Sequence, residues 1–257
     1  MKVLLLGSGG REHAIGWKLV QSPLITRLTS CPGNPGLAEI GDVVPDVDPE
    51  DPEAVTALAK DRHVDLVVVG PEGPLAAGVA DALQEAGIAV FGPTRAGAML
   101  EASKAHAKRV MTAAHVPTAA YGEFTDRDKA IAFLHEQSPP YVVKADGLAA
   151  GKGVVVTEDL AAAETWVNEC MDGRFGDAGS TVVIEEFLDG DEVSVFFICS
   201  DGVAVALDPA RDYKRLNDGD DGPNTGGMGR YSPVHPVDSF FIGWTRTHVL
   251  EPTLAAL

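Results

Sequence analysis

Over the first hundred residues, short and largely apolar runs alternate with stretches in which apolar residues recur at helical spacing. Lys2 to Leu6 is the first run. Ala14, Ile15, Trp17, Leu19 and Val20 then fall on one face of a helix. The runs Leu28 to Ser30, Asp65 to Val69 and Ile88 to Phe91 read as further strands, with a helix over Leu75 to Glu85 before the last. Asp46 to Glu53 is an acidic, proline-punctuated lead into a helix over Ala54 to Lys60, its charges read as caps and solvated surface. Strands without polar alternation are buried on both faces, so the pattern predicts a parallel sheet wound with helices on either side. Ligands of such sheets sit beyond the carboxyl ends of the strands, and the loops at Gly7, Cys31 and Gly70 all follow strands. They are expected to converge on one crevice.

Near residue 100 the pattern changes, which divides the chain into expected domains 1–100 and 101–257. A helix over Ser103 to His115 carries Lys104, Lys108 and Arg109 and is ended by Pro117. Helices over Asp126 to Glu136 and Asp159 to Cys170 bracket two β-branched runs, Tyr141 to Lys144 and Val154 to Thr157, which predict a hairpin with a glycine-rich tip. Thr181 to Phe187, Glu192 to Cys199 and Val203 to Leu207 read as an antiparallel meander. Asp208 to Tyr231 reads as a long irregular segment, a substrate loop or plain disorder. From Ser239 the chain is helical again, with a break or new start at Pro252.

The 257 residues hold 20 Lys and Arg against 38 Asp and Glu, a net charge of −18, with an ordinary 45% apolar content. That balance argues against nucleic-acid and anionic membrane partners, whose phosphates it repels. No run approaches the ~20 apolar residues of a spanning helix, and the start is too short for a signal peptide, so a cytoplasmic protein is expected. Cys31, Cys170 and Cys199 show no metal-ligand spacing and read as reduced, mostly buried thiols. In so acidic a chain the basic residues are informative by place. Arg11, Lys144, Lys152, Arg211, Lys214 and Arg215 stand beside glycines or in short clusters, as suits small anionic ligands.

The hairpin tip holds Gly147, Gly151 and Gly153 with Lys144 and Lys152 at its shoulders. Glycines admit close backbone approach and the lysines add positive charge, so the tip suits phosphate oxygens, although an ordinary tight hairpin fits the same residues. It is not a Walker A loop, because a strand rather than a helix follows Lys152. The turn Gly7-Ser8-Gly9-Gly10-Arg11-Glu12 before a helix likewise suits an anion, or only closes a βα unit. Glu12 stands where a dinucleotide fingerprint needs glycine, and no clear acidic residue follows the second strand, which disfavours nicotinamide binding. Glu185, Glu186 and Glu192 are placed to serve a base and a ribose, or to sit on the wet face of a sheet.

Three stretches together resemble one family: GSGGREHA at Gly7, KADGLAAGKGVVV at Lys144 and GPNTGGMG at Gly222. CPGNPG at Cys31, VGPEGPL at Val69 and EEFLDGDEVSVF at Glu185 support it. Over Met1 to about Tyr231 the chain resembles the phosphoribosylamine–glycine ligases of the ATP-grasp superfamily. The resemblance implies an α/β protein, an amino-terminal doubly wound parallel-sheet domain followed by an ATP-grasp domain with a lid at about 120–188. It implies ATP-dependent joining of glycine to 5-phosphoribosylamine through glycyl phosphate, with Mg²⁺ or Mn²⁺. ATP would contact Lys104, Lys144, Gly147, Gly151, Lys152 and Gly153, with Glu185, Glu186, Phe187 and Leu188 as hinge and Glu192 at the ribose. Gly9, Gly10, Arg11, Asn34 and Glu72 would line the phosphoribosylamine crevice. Lys214, Arg215 and Gly227 would serve catalysis, with Asp212, Thr225, Gly226 and Met228 at glycine. Arg230 departs from the small residue usual after the glycine loop. The family's metal ligands and C-terminal part would lie beyond Leu257, so no metal ligand is assigned, and the chain alone is expected to bind nucleotide weakly and not to turn over at a rate typical of the family. A nucleotide-dependent oxidoreductase and a non-catalytic nucleotide-binding fragment stay open as other readings.

Overall fold

The computed structural model describes residues 1–147, 153–219, 221–225 and 227–257. The chain forms two compact units, Met1–Ala102 and Ser103–Leu257.

In the first unit, β1 (Lys2–Gly7), α1 (Gly10–Leu19), β2 (Arg27–Pro32), α2 (Pro35–Ala38), β3 (Asp42–Val43) and α3 (Pro52–Asp61) come first. After them follow β4 (Leu66–Val69), α4 (Glu72–Ala77), α5 (Val79–Glu85), β5 (Ala89–Phe91) and α6 (Arg95–Ala102). The strands form one parallel sheet in the order β3-β2-β1-β4-β5. Successive residues of β1 go to opposite faces. Val3 and Leu5 pack with Leu28, Leu37 and Ile15 on one side, and Leu4 and Leu6 with Val55, Val79 and Leu83 on the other. Both faces are therefore covered, which is why the run carries no polar alternation; each fully buried leucine contributes about 1.5–3 kcal/mol.

Local chemistry sets the helix ends. Asp51 caps α3 by accepting from the backbone N–H of Glu53 and Ala54 (3.0 and 3.1 Å), and Pro52 fits the first helical position. The single helix expected over Leu75 to Glu85 is instead two. Gly78, at φ +92°, adopts a left-handed conformation that no continuing helix can hold, and the chain restarts there.

The second unit runs through α7 (Lys104–Ala113), β6 (Tyr121–Phe124), α8 (Arg127–His135), β7 (Tyr141–Ala145), β8 (Val154–Thr157), α9 (Leu160–Glu169) and β9 (Val182–Glu185). It continues with β10 (Phe197–Ser200), β11 (Val203–Ala206), β12 (Arg211–Asp212), β13 (Arg215–Asn217), β14 (Asp221–Asn224), β15 (Arg230–Tyr231), α10 (Ser239–Thr245) and α11 (Glu251–Ala256). The expected hairpin forms, with Tyr141 opposite Thr157 and Lys144 opposite Val154. The meander does not. β9 lies between β6 and β7 in an antiparallel sheet of order β6-β9-β7-β8, because Val182 and Ile184 complete the core that Tyr141 and Val143 make with Leu134 of α8 and Val167 of α9. β10 pairs only with β11, across Asp201 and Gly202, whose positive φ values of 47° and 76° suit a two-residue hairpin turn. Residues 208–231 are also more ordered than expected: β12 pairs with β15, and β13 with β14.

Candidate functional site

In the first unit the loops after β1, β2 and β4 are tied to one another. The Asn34 side-chain amide donates to the carbonyls of Ser8 (3.0 Å) and Gly9 (3.2 Å), while its oxygen accepts from the Leu37 N–H (2.8 Å) and caps α2. Arg11 reaches Glu72 (3.0 Å) from the other side and also pairs with Glu12 (2.9 Å). The hydrogen bond to Glu72 and then that to Glu12 raise the Arg11 pKa, and the same Arg11 contact holds Glu72 below the usual carboxylate range. These contacts bring together Gly9, Arg11, Asn34 and Glu72 at the carboxyl ends of the strands, with Gly10 opening α1 beside them.

Glu12 changes the reading of this turn. Its side chain is 5% exposed, and its carboxylate accepts from the Gly9 N–H at 2.7 Å, the returning half of a capping box. The Gly9 N–H, expected to face an anion, is thus already engaged. A Cβ on Gly7 would stand 2.5 Å from the Glu12 Cγ, and one on Gly70 would also strike Glu12, so both glycines make room for that side chain. A Cβ on Gly10 would meet nothing within 4 Å. The open side of the turn is therefore at Gly10.

The second unit contains a cleft of about 1080 Å³. Its floor is the sheet face opposite α8 and α9. Tyr141, Val143 and Ala145 of β7 point to the helices, so the alternating Val142 and Lys144 line the cleft with Val154, Val156 and Glu185. Glu186, Phe187, Leu188 and Glu192 form one wall, and Asp212, Lys214, Arg215, Thr225 and Met228 form another.

Within the cleft, Lys144 Nζ lies 2.9 Å from Glu185 Oε2. Glu185 is 8% exposed, and its backbone pairs with Tyr121 of β6 on one side and Val142 of β7 on the other, so it offers a base no free strand edge. Glu186 likewise donates its N–H to the Ala120 carbonyl (2.9 Å). Beyond the strand, the exposed Phe187 and Leu188 continue the hinge stretch along the cleft. The Glu185 carboxylate, in the stretch expected to form the hinge, holds a lysine.

Glu192 and Lys214, read as ribose and phosphate contacts, are ion-paired to each other, half-exposed. Such a surface pair is worth under about 1 kcal/mol, so a ligand can open it at small cost. Arg215 donates to the Gly222 carbonyl (2.9 Å), fixing the β13–β14 hairpin. The Thr225 hydroxyl donates to the Lys214 carbonyl (3.0 Å) and accepts from the Gly227 N–H (3.0 Å). Gly227 has φ +114°, where a side chain would be strained, and the Met228 N–H returns to Tyr213 at 2.7 Å. Asp212 stands 4.0 Å from Lys214 and 3.7 Å from Arg230.

Lys104, Gly147 and Gly153 sit at the base of the hairpin. Lys104 Nζ donates to the Gly147 carbonyl (2.9 Å), and the Ala145 N–H to the Gly153 carbonyl (2.7 Å). Asp146 anchors the start of α7, accepting from the Ser103 hydroxyl (2.9 Å) and the Ala105 N–H (3.0 Å). Gly151, Lys152 and Gly226 lie outside the described residues. Sequence reasoning missed Asp146, the space-filling part of Glu12, and above all Lys108, a fully buried lysine 3.2 Å from Glu185. The one available signal for Lys108 was a charged residue on the apolar side of its helix. Among the described residues no three or more His, Cys, Asp or Glu side chains converge as a metal site, and no helix is long and apolar enough to cross a membrane.

Comparison with known proteins gives one family over both units. The pattern described as phosphoribosylglycinamide synthetase, N domain, matches residues 1–101, and that of its ATP-grasp (A) domain matches residues 102–257. Phosphoribosylamine–glycine ligases of Brucella melitensis biotype 1 and Agrobacterium fabrum are each 51% identical over the whole chain. The chain spans 60% of the length of these relatives. The crystal structure of phosphoribosylamine–glycine ligase from Thermotoga maritima superimposes with a TM-score of 0.85 at 34% identity, covering 100% of this chain and 61% of that one. A biotin carboxylase domain from Hydrogenobacter thermophilus, 20% identical with a TM-score of 0.73, shares the fold.

Proposed function

The chain belongs to the phosphoribosylglycinamide synthetase family, and on that premise we propose that it carries the ATP and substrate sites of a ligase that joins glycine to 5-phosphoribosylamine. In this reading a glycine carboxylate oxygen attacks the γ-phosphorus of ATP and ADP departs. The amine of phosphoribosylamine then attacks the acyl carbon of glycyl phosphate. Inorganic phosphate leaves, a proton is lost, and glycinamide ribonucleotide forms, a step of purine biosynthesis. Location in the cytoplasm and small-molecule partners only, with no nucleic acid or membrane, belong to the same proposal.

The observation that carries it is the 1080 Å³ cleft of the second unit, which sets Lys144 and the Phe187–Leu188 stretch beside Lys214, Arg215 and the Thr225 loop. No side chain there is arranged as a nucleophile, and phosphoryl transfer needs none: positioning and neutralisation of phosphate charge suffice. We assign Lys144 and Lys104, together with the glycines of the hairpin, to the ATP phosphates. Glu192 serves the ribose, while Lys214, Arg215 and the loop through Gly227 serve glycine and the transferring phosphoryl group. The stretch 120–188 acts as the lid. The first unit holds phosphoribosylamine at Gly10, Arg11, Asn34 and Glu72. A divalent cation, Mg²⁺ or Mn²⁺, goes with the family's chemistry, but the described residues form no ligand set that fits one, so no residue here is given that task.

The test is ADP release with ATP, glycine and phosphoribosylamine, each omitted in turn, alongside calorimetric titration with ATP and with a nicotinamide dinucleotide. ATP binding in preference to the dinucleotide, with ADP release that requires glycine, is expected. Glycine-independent ADP release, or tighter dinucleotide binding, overturns the reading.

A further inference from the structure

One carboxylate oxygen in the second unit serves two lysines. Glu185 Oε2 lies 2.9 Å from Lys144 Nζ and 3.2 Å from Lys108 Nζ. The two ammonium groups differ in surroundings. The Lys108 side chain is 8% exposed, and its Nζ also donates to the Thr118 hydroxyl (2.8 Å) and the Ala119 carbonyl (3.1 Å), with the Tyr121 ring 5.3 Å away. Its three donors are satisfied inside the protein. Lys144 is 26% exposed in the cleft and has Glu185 as its partner among the described residues.

A buried carboxylate paired with one cleft lysine would cancel that lysine's charge and hold it back from an anion. With Lys108 behind it the count becomes two positive charges to one negative, and the excess falls at the exposed member. We propose that Lys108 is a positioning residue for phosphate binding. It acts through Glu185, occupying part of that carboxylate's field so that Lys144 is held in place yet stays electropositive toward the cleft. The three groups come from separate elements: Lys108 from α7, Lys144 from β7 and Glu185 from β9. Alternation along the sheet puts the last two on one face, on a diagonal between paired strands, since Val142 is opposite Glu185 and Lys144 opposite Val183. The inference rests on the reading that the cleft takes ATP phosphates.

The experiment is calorimetric titration of ATP, and of inorganic triphosphate, against the whole chain and four variants, with Glu185→Gln in reserve as a fifth. Lys108→Gln removes the charge while keeping a donor, and should weaken both ligands about tenfold, the scale of one charge-assisted hydrogen bond. Lys108→Arg, which keeps the charge, should stay within about threefold of the parent. The double variant Lys108→Gln/Glu185→Gln removes both buried charges and should recover most of the lost affinity, a result that mere loosening of the structure would not give. Circular dichroism and thermal melts check folding, and if Lys108→Gln fails to fold, the double variant against Glu185→Gln alone reads the same coupling. Equal affinity of Lys108→Gln and parent, or a double variant at least as weak as Lys108→Gln, overturns the inference. Lys144→Ala, the fourth variant, separates the two ideas: if it leaves ATP binding unchanged, the assignment of the cleft is at fault.

Discussion

Lys144 and Glu185 are two residues apart in register on neighbouring strands, and their side chains meet at 2.9 Å on the cleft face of the sheet. The lysine is therefore pre-oriented before any ligand arrives, and little side-chain entropy remains to be lost on binding. Lys144→Ala is expected to weaken ATP binding by about 1.5–3 kcal/mol, as loss of a charge-assisted hydrogen bond to phosphate does. Calorimetry checks it, and unchanged affinity would remove Lys144 from the phosphate site.

Gly10→Val is expected to leave ATP binding and fold stability nearly intact while abolishing measurable binding of a sugar phosphate. A Cβ there has open space around it, and valine is no poorer a helix former than glycine, so the chain itself tolerates the substitution. What the valine blocks is close approach of a ligand to the helix N-terminus. Loss of ATP affinity with sugar-phosphate binding retained would reverse the assignment of the two units.

The Arg11–Glu72 pair carries a pH dependence whose sign is fixed by the Glu72 shift. Arg11 lowers the Glu72 pKa from the ordinary 4.5, so the stabilisation is present above that value and is lost as pH falls through the lower folded value. Both side chains are about half exposed, so Glu72→Gln should cost less than about 1 kcal/mol at pH 7. The difference should shrink as pH falls below 4.5 and vanish once Glu72 is protonated in the folded as well as the unfolded chain. Urea melts of parent and variant at pH 7, 5 and 3 measure it; a difference that grows on acidification refutes the pairing.

Of the three thiols, Cys199 should react first with a disulfide reagent at pH 8. Burial pushes Cys31 and Cys170 up to about 11, leaving roughly one thiolate in a thousand, whereas Cys199 is exposed. One fast equivalent, absent in Cys199→Ser, is the expected stoichiometry; three fast equivalents would contradict the burial of the other two.

The parallel sheet of the first unit was legible because both its faces are buried, leaving unbroken runs such as Val3–Leu6 that only a sheet covered on both sides explains. The hairpin from Tyr141 to Thr157 was legible from its glycines and branched residues. The pairing of β9 was not, because Thr181–Phe187 reads equally well beside any strand; the choice is made by Leu134 and Val167, helical residues far away in sequence. The site divides in the same way. Lys144, Lys214 and Arg215 announced themselves beside glycines or in clusters, and they do share a cleft. Lys108 lies in a stretch with other lysines and arginines, and its place on the apolar side of the helix is a weak sign that it turns inward. Glu12 was noticed only as a missing glycine, since what it fills depends on Gly7 and Gly70, residues brought together by the sheet.

The way Glu12 fills the space over Gly70 limits which substitutions can follow one another. Gly70 is not held in a left-handed conformation, and the three atoms nearest to a Cβ there all belong to the Glu12 side chain, so that side chain rather than the backbone angle bars alanine. With glutamate at 12, a methyl group at 70 collides; with a shortened residue at 12, it does not. Gly7 is different, because its φ of +122° would strain any side chain whatever stands at 12. Positions 12 and 70 are thus epistatic, and position 7 is independently constrained. A lineage can reach a non-glycine residue at 70 only through an intermediate that has already given up the carboxylate, together with its cap on Gly9 and its pairing with Arg11.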